Sequence, residues 1–276
     1  MTNDNLTLIL GGTGKTGRRV AERLAALGVP VRVGSRDGKP PFDWADKQTW
    51  VPAVHGATAA YLSFYPDVAV PGAAATVRSF AEVAVSHGIR KLVLLSGRGE
   101  PEAQLAEEAV REVAPDTTVL RCSWFNQNFS EGYLLDPVLG GEVVLPVGDT
   151  PEPFVDADDI ADVAVAALTE DGHAGRLYEL TGPRLLSFAG AVAEIAAATG
   201  RTIRFKPVSI DEYRSMLTEY EVPADVVQLL SYLFTEVLDG RNASVTDGVR
   251  RALGRESRDF GDYARETAAT GVWTVS

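Results

Sequence analysis

A glycine-rich loop directly follows an apolar segment near the start of the chain. The segment Leu6–Leu10 is followed by Gly-Gly-Thr-Gly-Lys-Thr-Gly at 11–17, and a helical pattern begins at once. In such a unit Gly11 permits the tight turn, Gly14 lets the backbone approach a pyrophosphate, and Gly17 lets the helix pack closely on the sheet. The first amide groups of the helix then face the phosphates. The loop predicts a nicotinamide dinucleotide site. The other cofactor-binding residues predicted within it are Thr13, Lys15 and Thr16.

The end of the second predicted strand distinguishes between the two nicotinamide cofactors. An acidic side chain there binds the ribose 2′-hydroxyl of NADH, whereas a basic one accommodates the 2′-phosphate of NADPH. Here Ser35 and Arg36 end the strand; Arg36 can pair with a phosphate and stack on adenine, and Ser35 can donate a hydrogen bond. Asp37 gives the opposite signal, one residue later. NADPH is therefore predicted over NADH, and the alternative for Arg36 is a solvated surface arginine.

Residues that follow the later strands are the remaining candidates, because ligands of an open parallel sheet lie at the carboxyl ends of its strands. The further predicted cofactor-binding residues are Phe64, Ser96, Gly97 and Cys122. After Cys122 comes an aromatic segment with amide groups, which suits a flat and mostly apolar substrate. The predicted substrate-binding residues are Trp124, Phe125, Asn126, Tyr133 and Tyr232. The alternative for Trp124 and Phe125 is that they pack two parts of the chain together.

Alternating strand-like and helix-like segments must position these residues. The predicted strands are Leu6–Leu10, Val31–Gly34, Ala59–Phe64, Lys91–Ser96, Thr118–Cys122 and Leu177–Leu180. The helical patterns between them predict an α/β fold with a doubly wound parallel sheet of the Rossmann type. We expect residues 1–150 to form an NAD(P)-binding domain. We expect residues 151–276 to form a smaller, mainly helical substrate-binding part, of which Asp156–Leu180 packs back on the sheet.

Composition argues against several other classes of protein. The chain has 276 residues and a net charge of −12, and its basic residues are not clustered, which argues against general nucleic-acid binding. A single cysteine, Cys122, argues against a disulfide framework or a cysteine-rich metal site. Asp156, Asp158 and Asp159 are explained by helix capping, so no metal is predicted. The sequence shows no membrane-spanning apolar run and no signal peptide, so a cytoplasmic location is expected.

The chain resembles the NmrA-like atypical short-chain dehydrogenase/reductase family, which includes quinone, isoflavone and triphenylmethane reductases and a dinucleotide-sensing regulator. The segments that carry the resemblance span nearly the whole chain: 11–17, 91–96, 119–129, 154–163, 178–183 and 253–255. Trp124-Phe125 and Asn128-Phe129, with the Gly-Lys-Thr-Gly loop, most resemble the festuclavine synthase-like ergot alkaloid reductases. The resemblance implies a Rossmann fold, an NAD(P)H cofactor, reductase activity and a role in secondary metabolism.

The chain departs from its wider superfamily at the proton donor. Typical short-chain reductases protonate the product with the tyrosine of a Tyr-x-x-x-Lys motif. The corresponding positions are held by about Glu100 and Gln104, neither of which is expected to replace the pair chemically, and Ser96 alone is a poor acid at neutral pH. No catalytic residue is therefore assigned. An iminium ion or a quinone-like acceptor needs no enzymic acid at the reacting carbon, so its reduction is mainly a matter of positioning.

These features together predict an NADPH-dependent oxidoreductase acting by direct hydride transfer. Its substrate would be a small aromatic or polycyclic metabolite with an iminium, quinone-like or activated ketone group. The alternative is a redox sensor that binds NADP(H) and a protein partner without catalysis. An aromatic pocket beside the nicotinamide favours the enzyme, whereas a filled pocket favours the sensor. A monomer or homodimer is expected, with no nucleic-acid or membrane partner.

Overall fold

The computed structural model describes residues 5–275, which fold into two compact units. The first unit contains the described residues up to Cys122 together with Ala157–Leu180 and Asp247–Arg255. The second contains Ser123–Asp156, Thr181–Thr246 and the described residues from Glu256 onwards. The predicted division of roles, with an NAD(P)-binding part at 1–150 and a substrate-binding part at 151–276, stays a prediction.

A six-stranded sheet forms the centre of the first unit. In spatial order its strands are β2 (Val31–Gly34), β1 (Leu6–Leu10), β3 (Ala57–Leu62), β4 (Lys91–Gly97), β5 (Thr118–Cys122) and β7 (Leu177–Leu180). Every neighbouring pair is parallel. From β1 the chain goes outwards to β2 and then returns to the other side of β1 for β3, so the strand order reverses there. This confirms the predicted doubly wound, Rossmann-like α/β fold.

Helices surround this sheet, and one of them carries the glycine loop at its start. The helices of the first unit are α1 (Lys15–Ala26), α2 (Trp50–Val54), α3 (Ala73–Ser86), α4 (Pro101–Val113), α7 (Ala157–Thr169) and α11 (Gly248–Leu253). Arg23 of α1 donates hydrogen bonds of 2.6 Å to both Asp158 and Asp162 of α7. Asp159 is paired with Arg255 at 2.7 Å. The acidic side chains that begin α7 therefore bind arginines, which fix α1 and its loop against α7.

The second unit combines helices with a two-stranded parallel sheet. Its strands are β6 (Glu142–Leu145) and β8 (Arg204–Pro207). Its helices are α5 (Asn128–Glu131), α6 (Leu135–Gly140), α8 (Phe188–Thr199), α9 (Ile210–Glu219), α10 (Ala224–Tyr232), which continues into a π-helical segment (Leu233–Val237), and α12 (Phe260–Ala269). Four buried phenylalanines pack edge-on or tilted at the centre of its core: Phe129, Phe154, Phe188 and Phe260. None of the helices within residues 5–275 combines the length and apolar character needed to cross a bilayer.

Candidate functional site

The glycine loop turns sharply between β1 and α1. Gly11 has a φ of 67°, and its carbonyl oxygen accepts a hydrogen bond of 2.9 Å from the Gly14 amide. Gly14 is the N-cap of α1 and gives the first turn no side-chain acceptor, and that turn contains no acidic residue. The amide groups of Thr16 and Gly17 in the first turn donate to none of the described residues, so they can bind an anionic ligand, which the helix dipole favours.

Two glycines of the loop are required by internal packing. A Cβ atom at Gly17 would overlap the Gly11 carbonyl oxygen, and one at Gly12 would lie 2.7 Å from Val33 Cγ1. Gly14 differs, because the nearest described atom to a Cβ there is the Gly11 carbonyl oxygen, at 3.2 Å. The missing side chain at Gly14 thus leaves space outside the loop, which the close approach of a pyrophosphate requires.

The three other loop residues predicted to bind cofactor differ in exposure. Thr13 is exposed and Lys15 is half-buried. Thr16 is buried, and its hydroxyl oxygen accepts a hydrogen bond of 2.9 Å from the hydroxyl of Tyr61. Burial raises the pKa of Tyr61, so this phenol stays protonated and remains a donor. The Thr16 side chain is thus used inside the protein, which leaves its backbone amide for a ligand.

The chain leaves β2 through a turn that exposes Arg36. The carbonyl oxygen of Ser35 accepts hydrogen bonds from the amides of Gly38 at 3.0 Å and Phe42 at 2.8 Å. Arg36 is exposed, and its side chain has no hydrogen bond or ion pair with any residue between 5 and 275. Because β2 pairs with β1, Arg36 follows the strand that lies next to the one carrying the glycine loop.

An aromatic pair lies at the end of β3. Phe64 packs against Trp44 with ring centroids 4.9 Å apart, and the Trp44 indole donates a hydrogen bond of 3.2 Å to the Ser63 carbonyl oxygen. Ser63 also contacts the glycine loop, since a Cβ atom at Gly11 would lie 3.0 Å from Ser63 Cβ. Phe64 is therefore held beside the loop by Trp44 and by its neighbour in the chain.

Ser96 of β4 belongs to a buried ionic network. Its hydroxyl donates a hydrogen bond of 2.6 Å to Glu107 of α4, and Glu107 pairs with Arg121 at 2.6 Å. Arg121 also pairs with Glu179 at 3.1 Å. Ser96 is 4% exposed, so its hydroxyl is committed within the protein. A cofactor contact by Ser96 would have to come from its backbone.

Gly97, at the end of β4, is covered by the side chain of Glu100. A Cβ atom at Gly97 would overlap Oε1 of Glu100. Glu100 is 6% exposed, and its Oε2 atom has no hydrogen-bond partner among the described residues. Burial raises the pKa of Glu100 to about 8, and the negative charges of Asp67 and Glu102 act in the same direction. Glu100 is not among the predicted site residues, because the sequence does not reveal that it enters the interior without a cation.

Cys122 ends β5 and is chemically inert. Its thiol is buried and lies 3.5 Å from the carbonyl oxygen of Leu120, to which it donates a weak hydrogen bond. Burial raises the pKa of Cys122, which removes the thiolate at neutral pH. Cys122 thus marks the carboxyl end of its strand, where it was expected, without offering a reactive group. All predicted cofactor-binding residues belong to the first unit.

The predicted substrate-binding residues all belong to the second unit. Trp124 lies 5.4 Å from Phe188 and 5.3 Å from Phe234 between ring centroids, so much of its surface is used in packing within that unit. The Tyr133 hydroxyl lies beside the Trp124 indole nitrogen without a hydrogen bond of normal geometry. Burial of that hydroxyl and the nearby Tyr213 raise the pKa of Tyr133, which makes it a poor proton donor. Tyr232 and Phe125 are half-buried.

Two side chains after β5 have buried polar atoms without partners. Asn126 is fully buried, and neither its amide oxygen nor its amide nitrogen is hydrogen-bonded to a described residue. The hydroxyl of Ser123 is in the same situation. Gln127 is different, because its amide donates a hydrogen bond of 2.8 Å to Asp156. Buried polar groups are nearly always hydrogen-bonded, so the orphaned atoms of Ser123 and Asn126 indicate a place for a polar ligand or for water.

The chain is similar to known oxidoreductases along nearly its whole length. No family model matches the chain. It is 34% identical, over 99% of this chain and 100% of the other, to the Bacillus subtilis protein named "Uncharacterized oxidoreductase YesF". It is 30% identical to festuclavine synthase II of Penicillium roqueforti, over 93% of this chain and 96% of the other.

The fold also matches a solved structure. An NADPH-dependent quinone oxidoreductase of Escherichia coli, complexed with NADPH, superposes with a TM-score of 0.75 at 19% identity, covering 95% of this chain and 99% of the other. The glycine loop described above has the tight turn and the helix start without a side-chain cap that suit a dinucleotide. The chain therefore belongs to the NmrA-like atypical short-chain dehydrogenase/reductase family, and it is an NAD(P)H-dependent reductase of that type.

Proposed function

We propose that the protein reduces a small, flat, mostly apolar molecule that carries an iminium, quinone-like or activated carbonyl group. The observation that carries this proposal is the set of orphaned polar atoms on Ser123 and Asn126, on either side of Trp124 in the chain. Each such atom costs about 1–3 kcal/mol when buried without a partner, and a bound polar group would remove that cost. An aromatic side chain with neighbouring amide and hydroxyl groups suits a flat ring system with one or two polar substituents.

The names of two related proteins support the same class of substrate. Festuclavine synthase II is named for its product festuclavine, and the Escherichia coli reductase for quinones. Glu100 and Gln104 stand at the positions that correspond to the Tyr-x-x-x-Lys pair. The chain therefore lacks the tyrosine that usually protonates the product, which favours an activated electrophile over an unactivated ketone. The substrate-binding role of Trp124, Phe125, Asn126, Tyr133 and Tyr232 is part of this proposal.

NADPH is the proposed cofactor, and when bound it supplies the hydride. The exposed and unpaired guanidinium of Arg36 would pair with the 2′-phosphate, and the Ser35 hydroxyl would donate a further hydrogen bond. The amides at the start of α1 would hold the pyrophosphate. Gly97, Phe64 and Cys122 would line the remainder of the cofactor site at the ends of their strands.

The proposed substrate class is tested by following NADPH fluorescence during turnover. The panel consists of quinones, cyclic iminium ions and aromatic ketones, each added to enzyme with NADPH in excess. We expect NADPH oxidation with quinones, iminium ions or both, and slower or no oxidation with unactivated ketones. Tight NADPH binding without oxidation by any member of the panel would contradict the proposed function.

The cofactor preference is tested with Arg36→Ala. Loss of a charged hydrogen bond costs about 1.5–3 kcal/mol, so the dissociation constant of NADPH should rise roughly 10- to 100-fold while that of NADH stays nearly constant. Arg90→Ala is the matched control, because Arg90 is exposed and directly precedes β4, at the amino end of that strand and away from the carboxyl ends where the cofactor is proposed to bind. If Arg36→Ala leaves the ratio of the two constants unchanged, Arg36 does not bind the 2′-phosphate.

A further inference from the structure

Glu100 has a buried carboxyl group that lacks, among the described residues, the hydrogen bonds which such groups usually make. Glu100 precedes α4 directly and occupies the N-cap position, yet its side chain caps no amide of the helix. Oε1 lies over Gly97, and Oε2 has no hydrogen-bond partner among the described residues, although the residue is 6% exposed. A carboxyl group held in this way is destabilising unless it is neutral or meets a ligand.

Among the described residues, the charged groups that act on Glu100 are carboxylates. Asp67, in the segment after β3, and Glu102, on α4, both act on it through their negative charge. Arg98, two residues earlier, is directed to Glu179 at 3.5 Å. Burial, with the added effect of these two carboxylates, raises the pKa of Glu100 to about 8. Glu100 therefore carries a proton at neutral pH.

Asp67 lies close enough to Glu100 to act on it through its charge, and it is itself partly exposed to solvent. Asp67 is half-buried, and its carboxylate accepts a hydrogen bond of 2.8 Å from the Ala69 amide, which holds the side chain in place. Burial raises the pKa of Asp67 as well. Both acids follow neighbouring strands, β3 and β4, at the carboxyl edge of the sheet, where ligands of doubly wound folds bind.

We propose that Glu100 is the proton donor of this reductase and that its preferred substrates are acceptors whose oxygen must be protonated, such as quinones and activated carbonyl compounds. This inference rests on the proposed function. In an activated carbonyl compound the carbonyl carbon receives the hydride, and the electron pair of the C=O π bond moves to oxygen. In a quinone the hydride adds to the conjugated system, and an electron pair moves through it to a carbonyl oxygen. That oxygen takes the proton of the Glu100 carboxyl group, whose O–H bond breaks to leave a carboxylate. Solvent then restores the proton by way of Asp67. An iminium substrate needs no such proton, because its nitrogen becomes neutral when the hydride arrives.

The test compares Glu100→Gln with Glu108→Gln. Both substitutions are isosteric and lie on or beside α4, but Glu108 is exposed. For Glu100→Gln we expect kcat with a quinone to fall about 10²- to 10⁴-fold, as for loss of a general acid. Reduction of a cyclic iminium ion and the dissociation constant of NADPH should change less than about threefold by the same reasoning. Glu108→Gln should behave as wild type, and circular dichroism checks that each variant is folded.

An infrared titration gives a readout that is independent of turnover. Wild type and Glu108→Gln should show the carbonyl stretch of a buried, protonated carboxylic acid at neutral pH, and Glu100→Gln should lack it. The proposal is overturned if Glu100→Gln reduces quinones at the wild-type rate, or if no protonated carboxyl band is lost. A wild-type enzyme that is inactive with the whole panel overturns the proposed function and the donor role with it, while the infrared result still reports whether Glu100 is protonated.

Discussion

Two buried glutamates, Glu100 directly before α4 and Glu107 within it, differ in the charges that surround them. Glu107, in the second half, is 3% exposed and is held by the Ser96 hydroxyl and by Arg121, each at 2.6 Å. Glu100, directly before the helix, is almost as deeply buried, and the charged groups described as acting on it are the carboxylates of Asp67 and Glu102. The first is part of a closed ionic network that joins α4 to β4 and β5. The comparison shows that the hydrogen-bond and ion-pair partners of a buried acid, rather than its burial, decide its role. With partners it is a structural ion, and without them it is available for proton transfer.

The largest expected effect comes from removing the partner of the structural ion. Glu107→Gln leaves the mostly buried Arg121 with Glu179 alone, and breaking a buried pair costs about 3–5 kcal/mol. Urea unfolding monitored by tryptophan fluorescence measures this loss at neutral pH. Glu108→Gln is the control and should change the free energy of unfolding by less than about 0.5 kcal/mol. A loss below about 1 kcal/mol for Glu107→Gln would mean that Glu179 suffices to balance Arg121, since a broken buried pair costs more.

The same measurement on Glu100 should give the opposite sign at high pH. The pKa of Glu100 is raised from 4.5 to about 8 on folding, so wild type loses stability as the pH rises through this window. Glu100→Gln has no such loss. The variant should therefore be more stable than wild type by on the order of 2–3 kcal/mol at about pH 9, and this advantage should vanish near pH 4.5. An advantage that does not depend on pH would show that Glu100 does not titrate in this range.

The smallest expected effect comes from the neighbour of Glu100. Asp67→Asn removes a negative charge that raises the pKa of Glu100, so that pKa should fall. The pH at which quinone reduction is half-maximal should then move down by roughly 0.5–1 unit, because the protonated form is lost earlier. A pH–rate profile of kcat measures the shift. If the profile stays in place, Asp67 does not act on the titrating group.

The sheet could be predicted closely because its strands are short, mostly apolar segments that alternate with helical patterns. Leu6–Leu10, Val31–Gly34 and Thr118–Cys122 form as predicted. The strands β6 and β8 were not predicted. The sequence of β8, Arg-Phe-Lys-Pro, has no apolar run. Its pairing with β6 depends on contacts between distant segments, which periodicity does not report.

The parts of the candidate site that depend on backbone conformation could be predicted from the sequence. The parts that depend on which residue binds a given side chain were less predictable. The glycine loop could be recognised because only glycine permits the turn at Gly11 and the close packing at Gly17. Ser96 was predicted to bind the cofactor because it follows a strand, but its hydroxyl is bound in the interior by Glu107. For Glu100 the residue type suggested no role in proton transfer, because the absence of a nearby cation appears only in three dimensions.

The buried position of Cys122 has a practical consequence for spectroscopy. It is the one cysteine of the sequence, it is buried, and its raised pKa keeps it from alkylating reagents. A cysteine introduced at an exposed position would therefore be the one thiol that reacts with a maleimide dye. Asp37→Cys would place such a dye beside Arg36, where it can report cofactor binding in real time without removal of the native cysteine.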